Sequence, residues 1–166
     1  MQFDLKNFLQ NGRTPYRVAF STPLAGYELD GCTLSGPVEC VFSAVPTMEG
    51  AEMTLEVSAD IEAECARCLD AVKEHYAFTR AYTVRLRDLE DPDFELPMSE
   101  EGCLDTEELV FQELVFEIPR VLLCSADCKG LCPICGKKRA AGCSCQSADD
   151  AAPPDARLSI LKQLLS

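Results

Sequence analysis

The chain has 166 residues, 47% of them hydrophobic and 11 of them cysteine, with a formal net charge of −13. That length suits one domain with a sizeable core and a small appended module, and the composition excludes wholesale disorder. No segment approaches the ~18 consecutive apolar residues of a membrane helix, and Asp4 and Lys6 interrupt any secretory signal in the opening MQFDLKNFLQ, so a cytoplasmic, reducing location is the expectation.

The first strand signals lie between prolines. YRVAFS (16–21), bracketed by Pro15 and Pro23, is a short strand candidate, and VECVFSAV (38–45), ended by Pro46, is a stronger one. Residues 51–65, AEMTLEVSADIEAEC, then alternate with period two. Met53, Leu55, Val57, Ala59 and Ile61 fall on one side and mostly acidic or hydroxyl residues on the other, as in a half-buried antiparallel strand. Residues 76–87, YAFTRAYTVRLR, repeat the pattern with Tyr76, Phe78, Tyr82, Val84 and Leu86, interrupted by Arg80. The two runs form a hairpin connected through 65–75.

From Asp88 to Glu117 the chain carries twelve acidic residues and no Lys or Arg, whereas the rest is nearly neutral. Residues 88–104 are expected to be a solvated excursion, because they offer few apolar groups to offset the entropy of ordering. DTEELVFQELVFEIP then sets Asp105 and Glu108 at capping-box spacing and stops at Pro119, which predicts a helix over 106–117. SADDAAPPDA after Cys145 is a linker, and RLSILKQLL predicts a short amphipathic tail helix. The whole is an α+β chain: a curved antiparallel sheet with flanking helices over 1–123, a Cys-rich zinc-knuckle-like module over 124–146, and a linker with a C-terminal helix over 147–166.

Four cysteine pairs punctuate this layout: Cys65 and Cys68 in CARC, Cys124 and Cys128 in CSADC, Cys132 and Cys135 in CPIC, and Cys143 and Cys145 in CSC. An odd cysteine count without an export signal favours reduced thiols, and so metal ligation or redox chemistry, over disulfides. A structural zinc ion takes four tetrahedral donors, and a Cys-x-x-Cys turn supplies two without strain. Gly136, directly after CPIC, allows the chain to bend with its amides facing the sulfurs. One partition has two zinc sites, with Cys132, Cys135, Cys143 and Cys145 in one and Cys65, Cys68, Cys124 and Cys128 in the other. The other has a single site of Cys65, Cys68, Cys132 and Cys135, like a zinc ribbon split across the sequence. Cys32 and Cys40 read as buried hydrophobes and Cys103 as inert. A thiol-disulfide redox role for CPIC would call for a strand followed by a helix N-terminus, and that context is absent.

Catalysis has little to stand on: an all-thiolate zinc site has no open position for water, and the single histidine, His75, has no partner set for acid–base or nucleophilic work. Lys129, Lys137, Lys138 and Arg139 instead give the 129–145 stretch four positive charges and no acid, a candidate phosphate contact.

CARCLD (65–70) after a long alternating strand, CSADCKGLCPICG (124–136) followed by CSC, and DARLSILKQLL (155–165) together resemble the YceD family of large ribosomal RNA subunit accumulation proteins. The resemblance spans essentially the whole chain. It implies a non-enzymatic ribosome-biogenesis factor that supports accumulation or processing of large-subunit ribosomal RNA, with ribosomal RNA or a basic ribosomal protein as partner and no membrane or small-molecule substrate. A thiol-disulfide redox protein using CPIC, or an acidic protein-binding adaptor, is the alternative. Members often follow CPxCG with an Asn-Leu-Asn-like turn, where this chain has Lys137, Lys138 and Arg139, and they vary in whether the C-terminal cysteines are present, so CARC is the feature expected to be shared.

Overall fold

The computed structural model describes residues 1–91, 93–139, 142, 143 and 145. The chain divides into two compact units, Met1–Cys124 and Ser125–Ser166. The expected linker and tail helix lie outside the described residues.

The first unit is built on an open antiparallel sheet. β5 (Ala51–Glu64) is its spine, paired along its full length with β6 (Ala71–Val84) on one side. On the other side it pairs with β4 (Val38–Pro46) and, further along, with the short β3 (Cys32–Leu34). β2 (Tyr16–Thr22) forms the outer edge against β4. Both predicted long strands are present, and β6 begins earlier than the sequence pattern placed it, which shortens the hairpin connection to the residues around CARC.

The period-two reading of β5 holds residue by residue. Ala51, Met53, Leu55, Val57, Ala59 and Ile61 are buried, while Glu52, Glu56 and Asp60 between them are exposed. The buried face meets Cys40 and Phe42 of β4, Val84 of β6, and Leu109, Val110 and Leu114 of α2 (Thr106–Glu117) in one core. Burial of each large aliphatic side chain contributes roughly 1.5–3 kcal/mol relative to exposure, so this strand carries much of the unit's stability.

α2 has the predicted bounds because its ends are chemically defined. The Asp105 carboxylate accepts from the Glu107 and Glu108 amides, and Pro119 follows the C-cap Ile118. Arg80, which breaks the apolar face of β6, reaches across to this helix: Nε donates to Glu113 at 2.8 Å and Nη2 to Glu117 at 2.7 Å. Tyr82 donates its hydroxyl to the same Glu113 at 2.6 Å. An apparent fault in the strand pattern is therefore a polar tie between sheet and helix.

Three further elements carry weak sequence signals. β1 (Gln2–Asp4) pairs with β7 (Cys103–Asp105) in a separate two-stranded ladder, and α1 (Leu5–Asn11) follows β1 directly, capped by Asp4. The acidic stretch also differs from the expectation. Phe94, Leu96 and Met98 are half-buried and pack on the core, and Met98 bridges to Leu104. Alternate apolar side chains pull the segment onto the fold while Asp91 and Asp93 before them and Glu95 between the first two remain exposed.

Candidate metal centres and basic loop

The hairpin turn between β5 and β6 is a tight loop closed by two backbone hydrogen bonds. Cys65 N–H donates to Asp70 O at 2.7 Å and Leu69 N–H donates to Cys65 O at 2.9 Å, curling residues 65–69 so that both sulfurs face one side. Leu69 takes a positive φ of 61° to complete the curl. Ala66 N–H donates to Leu122 O at 2.9 Å, which ties the loop to the chain leaving α2 and brings Cys124 alongside.

In the second unit the same pattern recurs around CPIC. Cys132 N–H donates to Lys137 O and Gly136 N–H to Cys132 O, both at 2.8 Å, with Gly136 at φ 68°. The spacing of donors and acceptors relative to the first cysteine is identical in the two loops, which makes both of them knuckles of one design.

The sulfurs gather in two groups. Those of Cys65, Cys68, Cys124 and Cys128 lie within 4.8 Å of one another, and so do those of Cys132, Cys135, Cys143 and Cys145. Cys68 and Cys124 are 3.5 Å apart and Cys135 and Cys143 are 3.4 Å apart. A disulfide requires about 2.05 Å, whereas two thiolates on a tetrahedral zinc at about 2.3 Å stand roughly 3.8 Å from each other. The separations rule out S–S bonds between these pairs and are compatible with sulfurs gathered around a small ion. Among the described residues these two are the cysteine groups that come together.

The electrostatics of the first cysteine in each knuckle suit a metal ligand. Hydrogen bonds from the backbone of Cys124, then of Arg67 and Cys68, hold the Cys65 thiol down to about 6. The backbone of Cys135 and of Ile134 does the same for Cys132, also to about 6. Cys145 is pushed up to about 12, chiefly by hydrogen bonding to the Cys143 and Cys135 sulfurs beside it.

The remaining cysteines are placed differently. Cys40 is buried in the core and pushed up to about 12, chiefly by burial, and Cys32 is half-buried in β3 and raised for the same reason. Cys103 is half-buried in β7. His75 lies on the exposed side of β6 with Nδ1 2.8 Å from Asp60 Oδ1.

All four basic residues singled out in the sequence, Lys129, Lys137, Lys138 and Arg139, are exposed. Their backbone is held by the second knuckle: Lys138 bridges to Leu131, and Arg139 N–H donates to Gly130 O at 3.0 Å. The run 137–139 is therefore one arm of a miniature hairpin whose other arm carries Cys132. Leu69 is the residue that sequence reasoning overlooked; its signal is its position, the one in CARCL that Gly136 fills in CPICG.

An open antiparallel sheet, two helices and two four-cysteine groups define a small α+β protein with metal-compatible thiol centres. The chain belongs to the YceD family: the family model described as large ribosomal RNA subunit accumulation protein YceD matches residues 53–165, from within β5 through both cysteine groups. Among curated relatives, uncharacterized proteins of Mycobacterium tuberculosis and Mycobacterium bovis are each 34% identical over 92 residues, 53% of this chain and 44% of theirs. An uncharacterized protein of Mycobacterium leprae is 27% identical over 115 residues, 67% of this chain and 53% of its own. The chain spans about half the length of the curated relatives it matches. No solved structure matches it.

Proposed function

We propose that the protein is a non-enzymatic, cytoplasmic ribosome-biogenesis factor that supports accumulation of large-subunit ribosomal RNA by binding, and that each four-cysteine group holds one structural zinc ion. The family description supports the process, and the sulfur geometry supports the metal. Zinc fits four thiolates better than magnesium or calcium, which prefer oxygen donors. With all four positions taken by sulfur, the ion's contribution is rigidity.

The observation that carries the binding mode is the backbone pairing of the basic run. Residues 137–139 are fixed to 130–132, so Lys137, Lys138 and Arg139 present their charges from a preformed arm rather than a floppy loop. Lys129 adds a fourth charge next to Cys128. Such an arm contacts phosphate without reading sequence, so its affinity is strongly salt-dependent.

The test combines metal analysis with RNA binding. Protein prepared anaerobically without chelator should carry two zinc ions per chain and bind a large-subunit ribosomal RNA fragment. Reversing Lys137, Lys138 and Arg139 to glutamate should keep the zinc and lower RNA affinity by at least about tenfold at moderate salt. Unchanged RNA binding removes the basic arm from the account, and metal-free protein with a reversible Cys132–Cys135 disulfide replaces it with a redox role.

A further inference from the structure

The segment that was expected to be a solvated excursion forms one wall of a groove. Its opposite walls are the end of β6, at Tyr82, and α2, at Leu109, Gln112, Glu113 and Phe116, and it encloses about 480 Å³. Two features set it apart from ordinary surface. The first is its floor and lip. Phe94 and Leu96 are half-buried within it, while Phe116 is 81% exposed, an aromatic ring left in water at the groove's lip. The second is the charge along it. Asp91, Asp93 and Glu95 line the segment's side, all three exposed, Asp88 beside them is half-buried and engaged by Arg85 N–H and Arg87, and no Lys or Arg is among the lining residues.

These features exclude several occupants. RNA is repelled by the carboxylates. A bound metal ion needs carboxylates that converge, yet among the described residues the groups of three or more donor side chains that come together are the two cysteine groups. Glu113, on the helix side, is already engaged by Arg80 and Tyr82. The remaining acids, Asp91, Asp93 and Glu95, belong to a turn in which Phe94 N–H donates to Asp91 O at 3.1 Å and Asp93 N–H to Asp91 Oδ1 at 3.0 Å, so a segment that combines cationic with apolar side chains matches both these exposed carboxylates and the Phe94 and Leu96 floor. An arginine laid against Phe116 adds a cation–π contact.

We infer that this groove is the docking site for an arginine- or lysine-rich segment of a protein partner. The inference deepens the proposed function by assigning the partner class of this face of the first unit. It does not depend on RNA contact at the basic arm.

The experiment uses the full zinc-loaded chain and a short fluorescent peptide of alternating arginine and leucine, with its glutamate-for-arginine counterpart as control, read by anisotropy. The wild type should bind the arginine peptide and not the counterpart. Asp91→Asn with Asp93→Asn and Glu95→Gln should weaken binding by about tenfold or more, and Phe116→Ala alone by about fivefold. Both changes are at exposed positions and leave the core intact. Neutralising three other exposed acids, Glu39→Gln, Glu52→Gln and Glu74→Gln, should leave affinity within about twofold. If that control triple weakens binding as much as the groove triple, or if Phe116→Ala changes nothing, attraction to the net charge is the whole effect and the groove assignment is overturned. An RNA titration of the same proteins separates the two readings. Peptide binding absent with RNA binding intact overturns the groove alone, and RNA binding absent with peptide binding intact overturns only the basic arm.

Discussion

Leu69 and Gly136 occupy the same place in two copies of one loop: each lies four residues after the first cysteine of its knuckle, donates its amide to that cysteine's carbonyl at 2.9 and 2.8 Å, and takes a positive φ of 61° and 68°. Glycine adopts this conformation without penalty, while a leucine there pays on the order of 1–2 kcal/mol. Leu69 is 61% exposed, so little packing compensates. Leu69→Gly should therefore stabilise the first unit by about 0.5–1 kcal/mol, after allowing for the extra freedom of glycine in the unfolded chain. Gly136→Ala should weaken the second knuckle by about 1 kcal/mol although a Cβ there meets nothing within 4 Å. Denaturant midpoints of zinc-loaded protein test both, and a loss of stability in Leu69→Gly would show that the leucine side chain has a contact role.

Removing Arg80 should cost more than removing most surface arginines. Its guanidinium bonds Glu113 and Glu117, and the Glu113 side chain is only 15% exposed. Arg80→Ala leaves Glu113 with Tyr82 alone, which should destabilise the protein by about 1–3 kcal/mol. Tyr82→Phe should cost about 1 kcal/mol. The double variant should cost less than the sum, because both act through one carboxylate; strict additivity in thermal or denaturant unfolding would contradict the shared tie.

The two cysteine groups should behave as separate centres. Cys65→Ser should remove one zinc equivalent and open the β5–β6 turn, with faster amide exchange at Ala66 and in the segment leaving α2. Cys135→Ser should also remove one equivalent while exchange in β5 and β6 stays unchanged. Loss of both ions from either single variant would mean that the groups are not independent.

Cys40 makes stability sensitive to alkali. Burial raises its folded pKa to about 12 from an ordinary 9.0, so the fold holds the neutral thiol. The stability contributed by this group is complete below the unfolded value and falls away as pH rises from about 9 towards 12. Cys40→Val, which keeps a small apolar side chain in the core, should flatten the loss of stability over that interval. An unaltered alkaline profile in Cys40→Val would assign it to other groups.

Much of this architecture is legible in the sequence because it follows from periodicity and caps. β5 alternates without fault, and α2 starts at an aspartate and stops before a proline. The cysteine groups are legible from spacing, since CPIC and CSC lie close in sequence while CARC needs a partner that only the fold can bring. What the sequence hides depends on partners far away. β1 and β7 are three residues each, too short for any pattern, and exist because each completes the other. Phe94, Leu96 and Met98 carry a period-two signal of their own, drowned by the acids around them and by Pro97. Arg80 looks like an interruption until Glu113 and Glu117 are seen across from it.

The β1–β7 ladder has a consequence for how the chain is made. Gln2 finds its register opposite Asp105, so β1 waits for a stretch translated about a hundred residues after it. In that interval the β4–β5–β6 meander, whose turns are local, is free to assemble by itself. The ladder thus closes a loop of about a hundred residues around a sheet whose own turns are local.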